Sequence, residues 1–308
     1  MLSMLVKRFL GAIPTLFIII SLTFLMMRLT PGGPFDTGRV VSPEVQANLM
    51  RAYHLDEPLF RQYLRYLSDL AGGDFGPSFT SKDFSVTQLI RQGFPVSFEL
   101  GLSAMALALI VGLALGTFGA LRRNHFSDHA VIVFAMVGII IPSFVMAPIL
   151  TLIFGVTLHW LPAGGWGDGH QLSYKILPVI ALALPRVASI ARLSRASMIE
   201  ALQMPFIRTA YAKGLPSRLV LFRHASRAAI LPVVSYLGPA TAGIITGSIV
   251  VEQVFSIPGI GRYFVDAALN RDYTLVSGVV VFYGCIIVSF NLIVDILYGF
   301  LDPRIVRQ

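Results

Sequence analysis

The chain has 308 residues, 55% of them hydrophobic and only 13% charged, with a mean hydropathy of +0.74. A soluble domain carries about 25% charged residues, so this composition excludes one and points to a polytopic membrane protein. The formal net charge of +8 then fits basic loops held at one membrane face, not a nucleic-acid surface.

Residues 9–27 form an uncharged run close to the ~20 residues needed to span a bilayer. It follows Lys7-Arg8, but no small-residue cleavage site comes after it, so no cleavable signal peptide is expected. Arg28 is expected to snorkel to the interface, and Pro31 and Pro34 stop the helix. Residues 30–96 differ in kind. Charges of both signs, Tyr, Pro and Gly predict a small folded extramembrane insert, with short helices over 43–55 and 58–70 and a turn-rich loop at 72–79.

Residues 100–121 are a second uncharged run, closed by Arg122-Arg123. A third, 130–158, contains Pro142 and Pro148 and is expected as one kinked span. In the loop that follows, Trp160 and Trp166 suit the membrane interface. Spans four and five are expected over 176–191 and 228–251. Residues 252–277 return outside the membrane, with a turn at 257–261 and a short helix over 263–270. Span six covers 273–294 and is expected to continue past Asp295 to Leu301. The fold class is therefore all-α, with six transmembrane helices. Cys285 is the one cysteine, which excludes an internal disulfide.

Lys and Arg set the orientation. With the N-terminus inside, the inner segments hold Lys7, Arg8, Arg122, Arg123, Arg304, Arg307 and seven basic residues of 192–232. The short outer loops hold Lys175, Arg262 and Arg271. Both termini are expected in the cytoplasm and the insert outside.

Residues 192–232 read as helix, glycine elbow, helix. Phe206, Ile207, Ala210 and Tyr211 fall at helical spacing on one predicted face, and Leu219, Val220, Phe222 and His224 make a looser second one. Gly214 and Pro216 stand where a helix C-terminus and the next N-terminus want them. A basic loop bound only to membrane lipid is the alternative.

Several chemistries have no motif here. No Gly-Lys dipeptide occurs, so no ordinary phosphate-cradling loop is present. There is no His-Glu-x-x-His or Gly-x-Ser-x-Gly, and the six histidines are scattered. No catalytic residue, metal site or cofactor of the chain's own is expected. Glu99, Arg186 and Asp295 lie within or near spans, where ionisable groups default to a functional reading. Pro142 and Arg186 are candidate path-lining residues.

The chain resembles the integral-membrane permease subunits of binding-protein-dependent ABC importers. Their broad consensus is Glu-Ala-Ala-x-x-x-Gly with a later Leu-Pro; here Arg208-Thr209-Ala210, Gly214 and Leu231-Pro232 take those places. Arg208 departs from the consensus glutamate. RTAYAKGLP at 208–216 and RHASRAAILP at 223–232 are instead similar to the peptide and nickel branch. GDFGPSF at 73–79, IPSF at 141–144, LHWLPAGGW at 158–166 and EQVFSIPGIGRYFVDAALNRDY at 252–273 extend the likeness over nearly the whole length.

The resemblance implies an N-terminal helix (1–29), a periplasmic insert (30–96) and an importer core (97–308) with coupling helices at about 199–228. It implies import of oligopeptides or dipeptides, with nickel or another small solute as the alternative within the family. A self-sufficient secondary transporter is the reading from outside it. Implied partners are a paralogous permease subunit, two cytoplasmic ATPases that bind ATP and Mg, and a periplasmic peptide-binding protein, at a bacterial inner membrane. Phe206, Arg208, Thr209, Ala210, Tyr211, Gly214 and Pro216 would couple to the ATPases. Asp74, Phe75, Glu252, Pro258, Gly259, Gly261, Arg271 and Asp272 would form the docking surface for the binding protein.

Overall fold

A computed structural model describes residues 2–29, 55–81, 83–169 and 171–301. The expected helix over 43–55 falls almost wholly outside these residues. The described residues are helical with no strand; a single isolated bridge joins Pro77 and Ser85.

The first helix, α1 (Leu2–Leu29), is apolar and mostly exposed along its length. It packs against the last helix of the chain, and Ile19 of α1 lies against Gly284 of that helix. The insert helix α2 (Leu59–Ala71) sits beside the far end of α1. There Tyr63 hydrogen-bonds Ser21 at 2.6 Å, and the rings of Tyr63 and Tyr66 meet Phe24. Burial pushes the Tyr66 phenol up to about 12.

The second span is much longer than its uncharged run. Helix α3 (Val86–Leu121) starts at a capping box: Ser85 accepts from the Gln88 amide, and the Gln88 side chain accepts from the Ser85 amide. It packs along α6 (Leu172–Gln203) in the largest interface of the fold. Small residues permit that approach: a Cβ on Gly112 would stand 2.8 Å from Ile190, and Gly116 is backed by Ala191 and Ser194. Without water between helices, such close van der Waals contact is what holds a membrane bundle together.

The third span departs from the expected single kinked helix. It is two helices, α4 (Phe126–Ile140) and α5 (Ser143–Leu150), bent by 101° where they meet. Ile141 is extended (φ −83°, ψ 113°) because the ring of Pro142 clashes with a helical predecessor, and Pro142 itself donates no hydrogen bond. A π-helical turn, Thr151–Thr157, ends the arm. Among the described residues five helices are long and apolar enough to cross a membrane, or six if the bent pair is one span.

Beyond α6 come α7 (Pro205–Ala212) and α8 (Ser217–Leu219), the latter running through a π-helical stretch, Val220–Ala225, into α9 (Ser226–Ala229). Helices α10 (Leu231–Thr246) and α11 (Ile249–Val254) complete the next span. Helix α12 (Ile260–Leu269) leads to α13 (Tyr273–Leu301), which does continue past Asp295. Trp160 is exposed in its loop, but Trp166 is buried in the main core, contrary to the interfacial placement expected of it. Its ring carries the Lys175 ammonium at 5.0 Å, so it closes the bundle end from within.

Candidate functional site

Three regions carry the residues singled out by sequence: the basic end of the bundle, the middle of α6, and the end bearing the insert.

At the basic end, α6 stops at Gln203 and Met204 turns extended, so Pro205 can open α7 in its first turn. The predicted single apolar face of α7 is split. Ile207 and Ala210 are buried against Met198, Ala201, Val220, Ala225 and Ala229, while Phe206 and Tyr211 point outward. Ala210 is therefore an internal packing residue, not a contact for another protein. Arg208, Thr209, Gly214 and Pro216 are exposed. Gly214 has φ +77° with nothing within 4 Å of where a Cβ would stand, so backbone conformation is the reason for glycine there. The second expected face is also broken up. Val220 turns inward while Phe222 is 75% exposed, because the π-helical stretch changes the periodicity that the reading assumed. The outward aromatics are thus Phe206, Tyr211 and Phe222, with Arg208 exposed beside them. Phe222 stands out only once the π-helical turn is known.

An ion pair braces this region from within. Asp128, fully buried on α4, accepts Arg195 Nε and Nη2 of α6, each at 2.6 Å, and the Asn124 amide at 2.9 Å. This planar two-bond geometry is the strong form of a carboxylate–guanidinium pair. Sequence reading passed over it, since nothing in the spacing of residues 67 positions apart links them.

In the middle of α6, Arg186 is half-buried and donates to Tyr236 Oη of α10 at 3.3 Å. Pro142 is exposed at the α4–α5 bend. The structure does not bring these two together. Gly138, one turn before Pro142, meets Leu184 and Ala188, and Arg186 lies about 200° around the helix from both. Of the ionisable residues expected near the span ends, Glu99 is exposed and paired with Lys175.

At the opposite end, two segments far apart in sequence form one body. Asp272, fully buried, accepts Ser78 Oγ, the Thr80 amide at 3.1 Å and the Leu275 amide at 3.1 Å. It thereby caps α13 and ties down the loop over 73–79. Phe75 packs edge-on to Phe282 of α13, and Asp74 Oδ1 accepts the Gly76 amide at 3.0 Å in a local turn. Glu252 is likewise fully buried, accepting Ser248 Oγ and the Gly261 amide at 2.8 Å at the start of α12. Ser97 of α3 accepts the neighbouring Ile260 amide at 2.9 Å. Glu252, Asp272, Gly259 and Gly261 therefore face into the chain and cannot offer themselves to a docking protein. Buried carboxylates need hydrogen-bond donors, and here the amide and hydroxyl donors come from the loops themselves. Asp74, Pro258 and Arg271 are exposed and Phe75 half-exposed. Among the described residues no group of three or more His, Cys, Asp or Glu could hold a metal ion.

Comparison with known proteins matches two family models. Residues 84–307 match the "Binding-protein-dependent transport system inner membrane component", and residues 1–101 match the N-terminal part of such membrane components. The oligopeptide transport system permease protein OppB of Salmonella typhimurium is 53% identical over 305 residues, 99% of each chain. The dipeptide transport system permease protein DppB of Bacillus subtilis is 45% identical over 300 residues, covering 97% of this chain and 96% of its own. A crystal structure of an amino acid ABC transporter with histidines shares the fold, with a TM-score of 0.51 at 18% identity, over 69% of this chain and 94% of that one.

Proposed function

The chain belongs to the family of binding-protein-dependent transport system inner membrane components, and from that premise we propose that it is a permease subunit of an ATP-driven importer of oligopeptides or dipeptides. The observation that carries the substrate class is the likeness, over almost the entire length, to oligopeptide and dipeptide permeases.

In this reading the chain forms half of a translocation path beside a paralogous permease subunit, in a bacterial inner membrane with both termini in the cytoplasm. It catalyses no reaction; ATP and Mg are bound by two partner ATPases. The basic end is the coupling element. Phe206, Tyr211 and Phe222 offer isolated apolar knobs, and Arg208 with its basic neighbours steers docking. Asp74, Phe75, Pro258 and Arg271 form the external docking surface for a peptide-binding protein, held from beneath by Asp272 and Glu252.

The test is reconstitution of the complete importer in proteoliposomes, with labelled peptide outside and ATP inside. Uptake is expected only when both permease subunits, the ATPases and the binding protein are present. Uptake by this chain alone would replace the importer reading with a self-sufficient transporter.

A further inference from the structure

Of the four cations of α6, Lys175, Arg186, Arg192 and Arg195, Arg186 is the one nearest the middle of this helix, which is long and apolar enough to cross a membrane. Lys175, near the start of that helix, pairs with Glu99 and stacks on Trp166; Arg195, towards its other end, pairs with Asp128. Arg186 falls between these two landmarks, about 16 Å along the helix from the first and about 14 Å from the second at 1.5 Å per residue. That is the middle of a hydrocarbon layer about 30 Å thick, too deep for a snorkelling side chain to reach the headgroups.

Lys175 and Arg195 have acids; Arg186 and Arg192 have none within ion-pair distance among the described residues, but Arg192 is exposed towards the basic end of the helix whereas Arg186 is half-buried at its middle. The hydrogen-bonding partner of Arg186 there is the neutral Tyr236 hydroxyl. The guanidinium is only half-buried, so part of its donor fork is left open. On the α10 side it lies against Gly243, where a Cβ would stand 3.3 Å from Nη2, and this bare backbone leaves room for the guanidinium. A permanently charged group at this depth calls for an anion, and neither lipid phosphate nor a nearby acid of α6 or α10 can supply it.

Resting on the peptide-importer reading, we propose that Arg186, oriented by Tyr236, receives the C-terminal carboxylate of the peptide midway through the path. A guanidinium fork fits a planar carboxylate with two parallel hydrogen bonds, and a half-occupied fork is ready for one. The tyrosine hydroxyl fixes the plane of the fork without neutralising it. Peptides carry this carboxylate whatever their side chains, which suits a path that must pass many sequences.

The experiment uses the complete reconstituted importer and two forms of one peptide, the free acid and the C-terminal amide, both saturating the binding protein. For each variant the ratio of acid to amide uptake is divided by the wild-type ratio, so that any preference of the binding protein cancels. Arg186→Gln is expected to lower this ratio about tenfold, the scale of a lost hydrogen bond to a charged group. Arg186→Lys keeps the charge but loses the fork and should lower the ratio, though less than Arg186→Gln, and Tyr236→Phe should lower it about threefold, as expected for a weaker positioning contact. Equal losses for acid and amide in Arg186→Gln would overturn the proposal and assign Arg186 to packing or to an acid of the paralogous subunit. An unchanged ratio would overturn it as well. If Arg186→Gln fails to assemble, the Tyr236→Phe and Arg186→Lys ratios decide, and a shift in neither rejects it. Absence of peptide uptake in the wild-type complex would instead defeat the underlying importer reading.

Discussion

The hydroxyl of Ser78 donates to the carboxylate of Asp272, 194 residues further along the chain, and that carboxylate also caps the last helix. One buried acid thus fuses the loop at the end of the insert with the turn before α13. Removing it leaves the Ser78 hydroxyl and the Thr80 and Leu275 amides without their acceptor, at a cost of about 1–3 kcal/mol for an orphaned buried group. Ser78→Ala and Asp272→Asn should each lower the melting temperature of the purified complex and its affinity for the liganded binding protein. The double variant should fall short of the sum by about 0.5–3 kcal/mol, the range for residues in contact. Strict additivity in a melting series would show that the two segments are not joined through this bond.

The Asp128–Arg195 pair makes an opposite kind of demand. Asp128 is fully buried, so Arg195→Leu strands a charge and is expected to destabilise by about 3–5 kcal/mol. Removing both charges, as Asp128→Leu with Arg195→Leu, should be the milder change. Thermal unfolding of the three proteins in detergent checks this; a double variant less stable than Arg195→Leu alone would contradict it.

Gly214 is the third case. Its positive φ strains a β-branched residue by about 1–3 kcal/mol, whereas asparagine tolerates the left-handed region. Gly214→Val is expected to leave membrane insertion intact but to reduce the ATPase subunits retained on purification, or the uptake per ATP hydrolysed. Gly214→Asn should be much closer to wild type. Wild-type retention and coupling in Gly214→Val would remove this elbow from the transmission path.

Topology can be read with single cysteines in a Cys285→Ser background. Ser68 and Ser217 are both exposed, at opposite ends of the bundle. Ser68→Cys should react with an impermeant thiol reagent added to intact spheroplasts, and Ser217→Cys only after permeabilisation. The reverse pattern would invert the orientation proposed here.

Much of the fold was legible because the bilayer allows few solutions. Uncharged runs near 20 residues must be helices, since a backbone inside lipid has only itself to bond. The spans other than the third were visible on that ground, and the glycine elbow and the short helix after the 257–261 turn from the placement of Gly and Pro. Ends were less so: α3 begins at Val86, fourteen residues before its uncharged run, because Ser85 and Gln88 cap it in place. The third span was read as one helix because hydropathy ignores direction, whereas Pro142 forbids helical geometry at Ile141 and turns the chain. In the basic segment after α6 the 3.6-residue period put Ala210 with Tyr211, but packing against Val220 and Met198 drew Ala210 inward.

By itself the sequence determined the membrane class, the basic end and the polar insert, and its motifs carried the family resemblance. All of these are properties of composition and local order. Only the tertiary structure decided which charged residues are surface and which are scaffold. Glu252 and Asp272 look like docking residues in one dimension, yet they are fully buried, because amides from loops far along the chain converge on their carboxylates. The same holds for the cations of α6. Glu99 and Asp128 reach Lys175 and Arg195 across helix contacts that no local pattern encodes, Arg192 is left exposed, and Arg186 is half-buried at mid-helix with the Tyr236 hydroxyl in place of an acid.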